Sequence, residues 1–154
     1  MNIIQEKLAS NLKEAMKAGQ SFEAGVFRML ISSFHNKEIE KKGKGEDVEI
    51  SEEEAIDLLT KEAKKRKEAA EAYEKGNRAE LAEKEKKELA IIEKFLPEQL
   101  SREEVEKIVS AALEKTGAKE IKEFGKVMGE AMKDLKGRAD TSFVSEIIKE
   151  KLGS

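Results

Sequence analysis

Cysteine and tryptophan are absent from this 154-residue chain, and proline, histidine and tyrosine each occur once. Without cysteine there is no disulfide, no thiolate nucleophile and no thiolate metal site, which suits a reducing compartment. With no tryptophan and with Tyr73 as the one tyrosine, the aromatic interleaving of a single-strand stacking surface is missing. One proline, Pro97, leaves the chain almost without helix breakers. No apolar run approaches the roughly 20 residues that cross a bilayer, so no membrane association is expected. The N-terminus, from Met1 to Lys7, is interrupted by charge and has no signal-peptide core. These absences together lead us to expect a cytoplasmic protein. Neither sign of charge dominates: 30 basic residues face 33 acidic ones, for a formal charge of -3. That balance excludes a bulk polycation, so any nucleic-acid contact must be local.

What is abundant is the palette of amphipathic helices. Charged residues reach 41% and hydrophobic ones 38%, with Ala, Glu, Lys and Leu prominent. The length allows one ordinary domain or two small ones. Ile4, Leu8, Leu12, Ala15 and Met16 recur at helical steps, which predicts a helix over residues 2–18 closed by Gly19. Ser21 is placed to cap a second helix, with Val26, Phe27, Leu30, Ile31, Phe34 and Glu38 on one side. Residues 41–47 lose the periodicity, carry two glycines and many charges, and read as a mobile loop too polar to pack.

Ser51 with Glu54 has the spacing of a capping box and opens a third helix that Gly76 should stop in a left-handed conformation. Asn77 with Glu80 repeats the capping pattern for a fourth helix, whose apolar line is Leu81, Leu89, Ile92 and Phe95. The two are expected to pair as an antiparallel hairpin over about residues 51–96, narrow in its apolar face and largely in water. Pro97 ends that pattern, and Ser101 with Glu104 opens another helix. We therefore divide the chain into an N-terminal domain, residues 1–97, and a C-terminal domain, residues 98–154. The second holds three helices, at 101–115, 119–135 and 141–152, the last capped by Asp140. The fold class is all-α with two domains, the first bearing the projecting hairpin.

Three constellations bear on function. Gly125 and Gly129 are four apart on one helix, so they lie over one another beside Met128 and Met132. Glycine inside a helix costs about 0.5–1 kcal/mol relative to alanine, so a compensating close approach is expected there. The neighbour could be another helix of this chain or a sugar-phosphate backbone. Between Lys115 and Arg138 seven basic residues stand against four acidic ones. Lys119, Lys122, Lys126 and Lys133 follow helical steps opposite Phe124, Val127, Ala131 and Leu135, with Lys136 and Arg138 in the turn beyond. Such a row is either a solvated face or a phosphate-binding stripe. The same choice holds for the third-helix cluster of Lys61, Lys64, Lys65, Arg66 and Lys67, where Glu62, Glu68 and Glu71 can neutralise part of the field.

Catalytic chemistry finds little support. His35 could pair with Ser33 or Glu38, but no oxyanion site accompanies it, and the chain has no glycine-rich phosphate loop following a strand. No His or Cys spacing suggests a metal, and no cofactor is expected.

Two segments carry a family resemblance: Phe95-Leu96-Pro97-Glu98-Gln99-Leu100-Ser101, and residues 125–140, which read GKVMGEAMKDLKGRAD. With the KEAKKRKE stretch at 61–68, they make the chain resemble the YqeY-like family nearly end to end. The C-terminal part of that family is similar to the tail domain of the GatB subunit of glutamine-dependent aspartyl/glutamyl-tRNA amidotransferase. The resemblance implies a tail that meets transfer RNA, for which the spacing above nominates Lys119, Lys122, Lys126, Lys133, Lys136 and Arg138 as contact residues and Gly125 and Gly129 as the close-approach face. It also implies kinship with carbon-nitrogen ligases that use glutamine as amide donor. The ATP- and magnesium-binding body of GatB and an amidase-like Ser/Lys signature have no counterpart here. The expected function is therefore a tRNA-binding accessory. The alternative is a helical adaptor that docks on an aminoacyl-tRNA synthetase or an amidotransferase subunit.

Overall fold

The computed structural model describes residues 1–153, and all regular structure among them is helical. The chain forms two compact units that meet in sequence at Leu96 and Pro97. In the first unit α1 spans Ile3–Lys17, α2 Ser21–Gly43, α3 Glu52–Lys75 and α4 Ala79–Glu93. The second contains α5, Arg102–Thr116, a single 3₁₀ turn at Ile121–Glu123, then α6, Phe124–Leu135, and α7, Thr141–Gly153.

The helix starts follow from short-range chemistry. Ser51 and Ser101 each accept the amide of the residue three positions on, Glu54 and Glu104, whose carboxylates accept the serine amides in return. Asn2 and Gln5 make the same reciprocal pair at α1, with glutamine in the place glutamate takes in the other two. Ser21 does not cap α2: it is the first helical residue, Gln20 precedes it, and no side chain closes that end. Nor does Asn77 cap α4, where Arg78 occupies the capping position without a side-chain bond. The left-handed residue between α3 and α4 is Asn77, at φ 57°, while Gly76 sits at φ -87°. Asparagine tolerates that conformation because its short polar side chain can bond locally.

The first core is built from Leu8, Phe27, Leu30, Phe34, Ile50, Leu59 and Ile92, with the Phe95 ring edge-on to Phe27 at 5.9 Å. It is concentrated where all four helices meet. Farther along the hairpin the buried apolar residues are small, Ala70 and Ala82, and charge pairs take over, including Lys86 with Glu74. Pairing of Arg66 with Glu88 and of Lys86 with Glu74 establishes the antiparallel register. Leu81, placed by sequence on the apolar line, is turned outward, and Ala82 takes the buried position.

The segment expected to be a polar loop, residues 41–47, is exposed and non-helical from residue 44 onward, but its first three residues are helical and Lys41 is packed. Helix α2 continues through Gly43, and Lys41 is buried, donating to the Glu49 carbonyl at 2.6 Å and the Glu54 carboxylate at 2.7 Å. Ile50 is fully buried, and its carbonyl accepts from the Asn2 side chain at 3.0 Å. A lysine can bury its alkyl stem when its ammonium finds oxygen partners, so charge alone does not place Lys41 in solvent.

In the second unit Val105, Val109, Val127, Leu135, Val144, Ile147 and Ile148 form a separate core. Gly117 closes α5 in a left-handed conformation, and Asp140 accepts the Ser142 amide at 3.1 Å at the start of α7. No helix among the described residues is long and apolar enough to cross a membrane.

Candidate nucleic-acid interface

The core side of α6 is taken by Val127, Ala131 and Leu135. This leaves Gly125, Lys126, Gly129 and Lys133 exposed on the other side. The expected close approach to the glycines is corrected within the chain: a Cβ built on Gly125 or Gly129 meets nothing within 4 Å. The reason is rotational. With the apolar row committed to the core, the glycines are carried around to the solvent side, where a bare backbone lies next to Lys126 and Lys133.

The lysine row also differs from its expected geometry. It is not continuous on one helix, because the chain makes a 3₁₀ turn at Ile121–Glu123 and α6 starts only at Phe124. Lys119 lies ahead of that turn and Lys122 within it. The Glu123 carboxylate builds the turn by accepting the amides of Lys119 at 2.7 Å and Glu120 at 3.1 Å. Those two amides, the Lys119 one first, hold Glu123 below the usual carboxylate range. Lys122 pairs with Glu120 at 3.0 Å.

Glu130 reduces the positive field. It takes Lys115 of α5 at 2.8 Å and Lys133 at 3.0 Å, and its carboxyl is held down chiefly by the hydrogen bond from Lys115, then by that from Lys133. The i,i+3 spacing of Glu130 and Lys133 was visible in the sequence, but the reach from Lys115 required knowing that α5 and α6 are neighbours. Lys126 is exposed, with no ion pair among the described residues.

Beyond α6, Lys136 is half-buried at the C-cap and Gly137 adopts φ 75°. Arg138 donates from Nη1 to the Asp134 carbonyl at 3.2 Å. The turn is clamped from the start of the unit: Gln99 donates to the Gly137 carbonyl at 2.7 Å, and the Leu100 amide to the Arg138 carbonyl at 2.9 Å. The two segments that carried the family resemblance are thus bonded to each other. Gln99 had no role in the sequence reading, since only the fold brings it to residue 137.

The basic stretch on α3 is partly consumed inside the first unit. Arg66 turns inward to Glu62, Glu85 and Glu88, and Lys65 pairs with Glu62 at 3.4 Å. His35 is exposed, with Nδ1 3.7 Å from the Glu38 carboxylate, while Ser33 donates to the Met29 carbonyl. A groove of about 340 Å³ between α2 and α3 is lined by Asn36, Lys37, Glu40, Asp57, Lys61 and Glu62 among others, with charges of both signs. Among the described residues no three His, Asp or Glu side chains converge as a metal site would require.

The chain is similar to proteins named "Altered inheritance of mitochondria protein 41, mitochondrial". That from Pyrenophora tritici-repentis is 28% identical over 99% of this chain and 83% of its own length. That from Vanderwaltozyma polyspora is 32% identical over 78% of this chain, and that from Lachancea thermotolerans 36% identical over 58%. The aligned region spans 66% and 46% of those two relatives, less than two thirds of each. Their names overturn the cytoplasmic expectation. Its grounds, a lack of cysteine and of long apolar runs, describe a protein suited to a reducing aqueous interior and do not distinguish the cytosol from an organelle's interior. The family model described as Yqey-like protein matches residues 5–152, and by that match over nearly its whole length the chain belongs to the YqeY-like family.

Proposed function

We propose that the protein binds transfer RNA through the exposed side of α6 and the turn that follows it, as an accessory to glutamine-dependent tRNA amidation and not as its catalyst. The observation that carries this reading is the open backbone at Gly125 and Gly129 beside exposed Lys126 and Lys133. Glycine at an exposed helix position weakens the helix, and among the described residues no neighbour stands close enough to gain from its small size. A sugar-phosphate backbone lying along α6 would use that space, with the lysines as point charges on phosphates and Arg138 as a bidentate donor. The scarcity of aromatic residues favours phosphate and shape recognition of folded RNA over stacking on single strands. The association with amidation rests on the similarity of this unit to the GatB tail.

A second reading, docking of a synthetase or amidotransferase subunit on the same face, draws on Glu130, which offsets two of the lysines. Salt separates the two. Binding of unfractionated tRNA to the purified chain is measured over a salt series, beside a variant with Lys122, Lys126, Lys133 and Arg138 changed to alanine. If about four phosphates are contacted, affinity falls roughly a hundredfold between about 50 and 200 mM salt, and the variant loses it. Absence of binding at low salt sinks the RNA reading and leaves the protein partner.

A further inference from the structure

We propose that the α3–α4 hairpin contains a proton-operated latch, in which Glu85 takes up a proton and donates it as a hydrogen bond to Glu88, docking α4 on α3 most firmly in mild acid. The latch is built on Arg66. Its guanidinium lies 2.9 Å from Glu88, 3.5 Å from Glu62 and 3.8 Å from Glu85, so one cation serves three carboxylates. All four side chains are less than a fifth exposed. Glu88 holds the nearest place as an ion pair, and neither Arg66 Nε nor Glu85 Oε2, both buried, has a hydrogen-bond partner among the described residues. Two ionised carboxylates cannot hydrogen-bond to each other, whereas a carboxylic acid donates to a carboxylate. One proton from solvent therefore satisfies the orphaned oxygen and removes one negative charge from the cluster.

The surroundings reinforce that outcome. Burial, then the Glu88 charge, pushes the Glu85 carboxyl up from its ordinary value of 4.5, against smaller pulls from Arg66 and Lys84. The groups facing the site are Glu62 and Arg66 from α3 and Lys84 and Glu88 from α4. From α2 come Met29, whose sulfur accepts from Arg66, and Ser33, whose hydroxyl reaches Glu62 at 3.4 Å; neither is acidic. A carboxyl raised in the folded state holds its proton there after the unfolded chain has lost it. The Glu85 contribution to stability is then greatest below the ordinary glutamate value and is lost as pH rises through the folded value.

The test compares the full chain with E85Q, which retains a donor at that position without a charge, by denaturant midpoint from about pH 5 to pH 8. The midpoint of the wild type should fall as pH rises, while that of E85Q stays level and is no lower at the alkaline end. A parallel fall in both proteins, or a lower midpoint for E85Q at the alkaline end, overturns the proposal. Should E85Q fail to fold, carbon-13 titration of the wild-type glutamates decides. A Glu85 midpoint above those of exposed Glu80 and Glu83 supports the latch, and one at or below them overturns it.

Discussion

Glycine and lysine each behave differently here from what their residue types alone suggest. Gly129 is exposed inside α6 with open space where a Cβ would stand. Gly129→Ala should stabilise the second unit by about 0.5–1 kcal/mol, measured by thermal or denaturant unfolding. Gly125→Ala should give less, because Gly125 lies in the first turn, where helix propensity counts for less. Loss of stability in Gly129→Ala would mean that a neighbour occupies that space after all. Lys41 presents the opposite case, a charge whose ammonium is held inside by the Glu49 carbonyl and Glu54. Lys41→Met keeps the apolar stem and strands the carbonyl, so we expect a loss of about 1–3 kcal/mol in denaturant unfolding. A change near zero would show that water replaces the ammonium.

At the scale of helices, the serines were equally visible in the sequence but do different work. Ser101→Ala removes the acceptor for the Glu104 amide and should destabilise α5 by about 1 kcal/mol. Ser21→Ala should be close to neutral, since Ser21 is already inside α2 and closes nothing. Unfolding of the two variants side by side checks both statements. The helices themselves were legible because apolar spacing at three and four residues is local information, and so were the boxes at Ser51 and Ser101. The end of α2 was not: Lys41 and Lys42 read as loop because the partners of Lys41 lie eight and thirteen residues further on. The break ahead of α6 was missed for a similar reason. Residues 119–123 fit a helical pattern, yet Glu123 captures two amides and turns them into a 3₁₀ entry.

For the molecule as a whole, the ion pairs predict a dependence on acid. Glu54 is held below its ordinary value of 4.5 chiefly by the hydrogen bond from Lys41, Glu130 by those from Lys115 and Lys133, and Glu40 by that from Lys44. Each folded-state value is depressed. Their stabilisation is therefore present above 4.5 and is lost as pH falls through that value and below it. Unfolding midpoints measured through the acid range should drop accordingly, and E130Q should drop less than the wild type. A level acid limb would show that solvent already screens these pairs.

The amino-acid sequence by itself determined the helical class, most helix positions, the helix caps at Ser51, Ser101 and Asp140, and kinship with the YqeY-like family. All of these depend on residues a few positions apart or on short ordered strings. Tertiary structure decided which side of each helix meets a neighbour. That choice turned Gly125 and Gly129 outward, drew Arg66 and Lys41 inward, gave Glu130 a lysine from another helix, and joined Gln99 to Gly137. Charged side chains in so polar a chain have many possible partners, and packing of the apolar rows selects among them.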